Sequence, residues 1–163
     1  MIAKTGLLAI TMISLASAPA AAVAAPPRVD NDRAEELYDR AVSLLDSQHR
    51  WAEAASLLRR SAENRSQDDP AAFETMRFAG RVYAQAGDFG KSRETLTDAG
   101  DLALARGALV DAAHAYIEAA HAAIEQGDAT RARSLAERAQ RLSTSPLLPD
   151  TESASIASLV GAL

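Results

Sequence analysis

The chain has 163 residues, alanine as its commonest residue, aromatic residues at 4% and no cysteine. That length suits one domain with a core of its own, while the lack of thiols excludes a disulfide framework and a thiolate zinc site. Without Lys4, which falls in the leader described next, 16 basic side chains face 22 acidic ones; this sign opposes nucleic acid and anionic lipid as partners, and no basic stripe overrides it.

Residues 1–24 read as an export signal. Lys4 gives a positive start, Gly6 to Leu15 is an apolar run broken only by Thr11 and Ser14, and Ala22-Val23-Ala24 supplies small residues for cleavage after Ala24. The pattern resembles a bacterial secretory signal and predicts a periplasmic or extracellular address. An uncleaved N-terminal membrane anchor is the alternative, since Gly6 to Ala25 reaches the ~20 residues that span a bilayer. Pro19 and the weakly apolar Ala-rich half favour cleavage, after which no stable membrane insertion is expected. With no cysteine after the apolar run, a lipidated N-terminus is excluded.

Residues 25–31 form an extended linker, because Pro26 and Pro27 cannot donate backbone hydrogen bonds. Asp30 or Asn31 then caps a first helix, Asp32 to Ser47, whose inward positions are Ala34, Leu37, Tyr38, Ala41, Val42, Leu44 and Leu45. After the turn at Gln48-His49-Arg50, a second helix, Trp51 to Asn64, buries Trp51, Ala54, Leu57, Leu58 and Ala62. Asp69-Pro70 pairs an N-cap with proline at the first helical position and opens a third helix to Ala86, with Phe73, Met76, Ala79, Gly80 and Tyr83 inward. Gly87-Asp88 ends that helix and caps the fourth, which runs to Arg106 before Gly107 stops it. The fifth, Leu109 to Gln126, carries Ala112, Ala113, Tyr116, Ala119, Ala120 and Ala123, and Gly127-Asp128 repeats the earlier turn. The sixth, Thr130 to Leu142, offers Ala132, Leu135, Ala136 and Ala139. Residues 146–163 form a C-terminal tail in which Ile156, Leu159 and Val160 can make a short helix that caps the open end of a stack.

The segment Arg77 to Ala99 carries the strongest pattern: Gly80, Tyr83, Gly87-Asp88-Phe89, Leu96 and Ala99. With these residues it resembles the tetratricopeptide repeat (TPR), Ser92 standing where that family usually has alanine. Val42, Leu45, Trp51 and Ala54 mark a more degenerate hairpin of the same kind. The turns at 49, 87 and 127 lie 38 and 40 residues apart, against about 34 in the common form of the family, so the resemblance is to a long-helix variant of about three repeats. It implies an all-α protein whose antiparallel helical hairpins stack as a right-handed TPR-like α-solenoid, over 32–145 in units of about 32–66, 70–106 and 108–143. A second framing, beginning a repeat at Gly100 with Gly107, Leu109, Ala112, Tyr116 and Ala119, exchanges the helices that face the concave side.

Chemistry is sparse. No Gly-rich phosphate loop and no Ser or Cys nucleophile pattern is present, so the reading is not an enzyme and no cofactor is called for. His49 reads as a solvated turn residue. Asp111, His114, Glu118, His121 and Glu125 share one side of the fifth helix, and His114, Glu118 and His121 are the residues a divalent metal would use. No second element supplies converging ligands, and the main expectation assigns no metal. Arginine outnumbers lysine, with Lys91 the one lysine after Lys4; base composition of the gene accounts for this better than a phosphate-reading surface, although arginine also favours bidentate carboxylate contacts.

The resemblance implies a groove lined by the first helix of each hairpin: Asp39, Ser43 and Asp46; then Glu74, Arg77, Arg81 and Gln85; then His114, Ile117, His121 and Ile124. Such a surface suits a protein or peptide partner. The members of the family that clamp a peptide carboxylate use Lys and Asn at the first of these faces; Asp39 and Ser43 depart from that, so no clamp is expected. The expected role is a non-catalytic exported scaffold, with a self-associating envelope subunit or a small-ligand or metal-binding protein as alternatives.

Overall fold

The computed structural model describes residues 29–163, so the expected leader at 1–24 and most of the linker lie outside the described residues. Among those described there are seven helices and no strand: α1 (Asn31–Gln48), α2 (Trp51–Glu63), α3 (Pro70–Gln85), α4 (Phe89–Ala105), α5 (Leu109–Glu125), α6 (Ala129–Ser143) and α7 (Asp150–Gly161). Each packs on the next in sequence, and α7 also touches α5. The result is a stack of antiparallel hairpins with the architecture of a TPR-like α-solenoid.

The turns explain why the helices break where they do. At Gly87 the backbone is left-handed, with φ at 75°. Asp88 N donates to the Tyr83 carbonyl at 3.0 Å and Gly87 N to that of Ala84 at 2.9 Å, which satisfies two carbonyls at the end of α3. Asp88 then accepts from Lys91 N at 3.1 Å and starts α4. Gly107 and Gly127 repeat the geometry. His49 occupies the same left-handed position at φ 51° without glycine's freedom, and the hydrogen bond that closes its turn, Arg50 N to the Leu44 carbonyl, stretches to 3.3 Å. The first hairpin is thus the least regular in its turn as well as in its sequence.

Two apolar clusters run through the stack. Leu37, Leu44, Leu57, Leu58, Val82 and Tyr83 fill the space among α1, α2 and α3, whereas Phe73, Met76, Leu96, Tyr116, Leu135 and Ile156 continue from α3 to α7. Alanines make up most of the other buried members of both clusters. Seven residues expected inward stay partly in water: Tyr38, Val42, Leu45, Trp51, Ala136 and Val160 are half-buried and Leu159 is exposed. α1 packs chiefly on α2, so one flank of its apolar stripe remains open. Ser61 ties the first pair together, its buried hydroxyl donating to the Ala34 carbonyl at 2.6 Å.

Close approach of neighbouring helices needs missing side chains at two points. A Cβ on Gly80 would lie 2.5 Å from Leu96 Cγ, and one on Gly100 would lie 2.4 Å from Tyr116 Cε1. Both glycines meet a residue sixteen positions ahead, so the α3–α4 and α4–α5 contacts use one device. Longer side chains join helices two apart: Arg59 on α2 reaches Asp98 on α4 at 3.0 Å, and Arg138 on α6 pairs with Asp101 on α4. Arg138 also lies over the Tyr116 ring, its guanidinium carbon 4.1 Å from the centroid, while the Tyr116 hydroxyl donates to Asp101 at 2.5 Å. Burial, reinforced by that bond to a carboxylate, pushes the Tyr116 hydroxyl well above its ordinary pKa.

A helix gains up to ~1 kcal/mol when glycine becomes alanine, whereas overpacking a rigid core costs roughly 1–3 kcal/mol. Gly90 has only ordinary contact, its nearest neighbour being the Gln126 amide nitrogen at 3.4 Å, so Gly90→Ala is expected to raise the urea midpoint. Gly100→Ala, against a buried and hydrogen-bonded ring, is expected to lower stability by about 1–2 kcal/mol in the same measurement.

Candidate functional site

Helices α1, α3 and α5 share one face of the stack, and α2, α4 and α6 the other. This follows from which residues meet across the gaps. A cleft of about 370 Å³ between α1 and α3 is lined by Glu35, Tyr38, Asp39, Glu74 and Arg65 among others. A second, of about 430 Å³, lies between α3 and α5, with Arg81, Gln85, His121 and Glu125 around an apolar floor that includes Ala84, Leu96 and Ala122. Both framings share this alternation of helices, and clefts open on both faces of the stack.

Glu118 joins α3 to α5. Its carboxylate accepts from Arg77 Nη2 at 2.6 Å and from Arg81 Nη2 at 2.5 Å, with both Nε groups also in range. Burial opposes ionisation of Glu118, but hydrogen bonds from Arg81 and Arg77 outweigh it and hold the carboxyl below its ordinary value of 4.5. The same contact, with burial opposing it, raises Arg81. Arg77 is largely covered, its guanidinium 6.0 Å from the Phe73 ring centroid, whereas Arg81 stays 53% exposed.

The expected groove residues therefore separate into groups. Asp39 and Glu74 share the α1–α3 cleft; Arg81, Gln85 and His121 share the α3–α5 cleft; Ser43 and Asp46 are exposed further along α1. Arg77 is largely covered and engaged by Glu118. His114 is half-buried. Ile117 must be corrected: it is 5% exposed and does not reach the face, because α5 lies between α4 and α6 and is covered on most of its circumference. Ile124 is exposed but lines a different cleft, beside α6 and α7. The His114, Glu118 and His121 metal alternative loses its carboxylate to two guanidiniums, and among the described residues no three His, Asp or Glu side chains converge.

One residue of the face went unnoticed in the sequence. Phe78, 36% exposed, lies on the α3 stripe one turn from both Glu74 and Arg81. Its spacing from those two residues was the available signal. On the opposite face a cleft of about 570 Å³ is lined by Ala72, Met76, Leu102, Glu63, Asp98 and Asp101 among others, and its three acids are already engaged, Glu63 and Asp98 by Arg59 and Asp101 by Arg138.

Fold and face together define a helical-repeat protein with a clefted side surface. No family model matches the chain, and no curated protein matches it either. Among solved structures it is similar to SycD, the type III secretion translocator chaperone of Yersinia enterocolitica, with a TM-score of 0.50 and 17% identity over 82% of this chain and 92% of that one. At that identity the likeness is one of fold.

Glu118 has a folded pKa below the unfolded one, so its contribution to stability is present above pH 4.5 and is lost as pH falls through the folded value. Glu118→Gln is expected to lower stability by about 1–2 kcal/mol at pH 7, less than for a fully buried pair because the carboxylate keeps some solvent. Urea titrations at successively lower pH should show the gap between the two proteins closing as the carboxyl protonates.

Proposed function

We propose that this chain is a non-catalytic exported scaffold, built of three long TPR-like repeats, that holds a segment of another polypeptide along the concave face of α1, α3 and α5. One observation carries the reading: two clefts open on the same side of the stack, with the exposed ring of Phe78 on α3, the helix that borders both. An exposed aromatic among polar groups is the kind of anchor on which binding energy concentrates. Carboxylates at Asp39 and Glu74, with Gln85 and His121 further along, supply hydrogen-bonding groups beside it. The fold likeness to a translocator chaperone is compatible with that task.

The address belongs to the same reading. The leader at 1–24 directs the chain to the periplasm or beyond, and no described helix is long and apolar enough to cross a membrane. Residues 146–163 cap the far end of the last repeat.

Arg77 is a poor target for testing the face, because replacing it also breaks the α3–α5 connection. Phe78→Asp combined with His121→Asp alters exposed positions only. The pair is expected to abolish retention of the partner from an envelope extract while leaving the helical circular dichroism intact. Leu104→Asp, at an exposed position on α4, should retain it. Equal retention by all three proteins would move the binding surface off the α1, α3 and α5 face.

A further inference from the structure

The two ends of the stack differ in a way that the binding face does not explain. At the N-terminal end the exposed positions of α1, including Arg33, Glu36, Arg40 and Ser43, are all polar. At the C-terminal end α7 is a lone helix that fully buries only Ile156. Ile124 and Leu159 are each 43% exposed there, and Val160 and Leu163 line a cleft of about 320 Å³ with Ala132, Arg133 and Ala136. The outward ridge of α7, Thr151, Ala154, Ser158 and Gly161, is small throughout. It is the kind of surface that lets helices approach closely elsewhere in this molecule.

Charge indicates what covers this end. α7 carries Asp150 and Glu152 at its start and no basic residue, while α6 carries Arg131, Arg133, Arg138 and Arg141 against a single Glu137. Neither Arg133 nor Glu152 forms an ion pair among the described residues. Val160 and Leu163 meet the first turns of α6, so α7 runs antiparallel to it, with Arg133 near one end of α7 and Glu152 near the other. A two-fold axis across α7 sets two such helices antiparallel and brings Glu152 of each copy to the Arg133 of its mate. An apolar end that faced the mainly polar α1 end of another molecule would bury less apolar surface and could propagate, whereas facing itself it closes after two copies.

We infer that the α6–α7 end is a self-complementary interface on which two copies of this chain dimerise, with Leu159 and Ile124 at its centre and reciprocal Arg133–Glu152 pairs at its rim. The inference is independent of the concave-face reading, and either can fail alone.

Sedimentation equilibrium of the full chain over a hundredfold concentration range is the test. A monomer–dimer equilibrium is expected. Leu159→Glu, at an exposed position, should leave a monomer with unchanged helical content. Arg133→Glu should weaken the dimer about tenfold, and Arg133→Glu with Glu152→Arg should restore it. A monomer at every concentration would overturn the inference, as would growth beyond the dimer. So would association that ignores both single variants, which would place the contact elsewhere, for instance in the leader.

Discussion

Successive helices in this chain meet through alanine and glycine, and the rest of the architecture follows from what such a contact can and cannot do. Small side chains let backbones approach, so Gly80 admits Leu96 and Gly100 admits the Tyr116 ring. They also leave few interlocking shapes, and a surface of alanines gains dispersion without strongly fixing the angle between two rods. Large residues are placed where that angle is decided. Phe73, Leu58 and Tyr116, all 1% exposed or less, stand between helices otherwise faced with alanine.

Helices two apart lack the packed interface that joins neighbours, α5 with α7 excepted. Side chains long enough to cross the gap supply the missing connection. Arg59 reaches Asp98, Arg138 reaches Asp101, and Arg77 with Arg81 reaches Glu118, so α2, α4 and α6 are linked along one face and α3 and α5 along the other. A guanidinium suits this work better than an ammonium, because its planar fork engages a carboxylate through two donors and can lie on an aromatic ring, as Arg138 does on Tyr116. The arginine-rich composition, which the sequence reading assigned to the base composition of the gene, has a structural use at these positions. Exposed ion pairs contribute little each, but here they join elements that hydrophobic contact leaves unconnected.

Helix limits were legible because their chemistry is local. Gly-Asp at 87 and 127, Asp-Pro at 69 and Gly107 each act within one turn, and α1 to α6 each begin and end within two residues of the expected place. Burial was legible only as a direction. Periodicity tells which side of a helix is apolar and says nothing of how many neighbours surround it. Ile117 was therefore assigned to the face although α5 is enclosed, and Trp51 to the core although it stands at the first position of α2 and stays half-buried. Glu118 was the harder case. Its partners lie 41 and 37 residues away, and on the sequence it was one of five polar residues along a helix face. Nothing within α5 distinguishes a carboxylate that closes a gap from one that faces water.

Glu118 also sets the field along the face. Two guanidiniums share one carboxylate, so the middle of the surface keeps about one positive charge, carried mainly by the more exposed Arg81. The α1 side differs: Glu35, Asp39 and Glu74 surround a cleft whose cation, Arg65, is 12% exposed and is shared between Asp69 at 3.4 Å and Glu35 at 3.9 Å, so the cleft keeps a net negative charge. On the proposed reading, a segment lying across α1, α3 and α5 passes from three carboxylates to a weakly cationic centre and then to His121 and Glu125. Such a gradient favours an occupant with basic residues toward α1 and disfavours the same occupant reversed, since like charges would then meet at the acidic cleft. Apolar contact with Phe78 is indifferent to direction, so polarity of binding would come from the carboxylates and affinity from the ring.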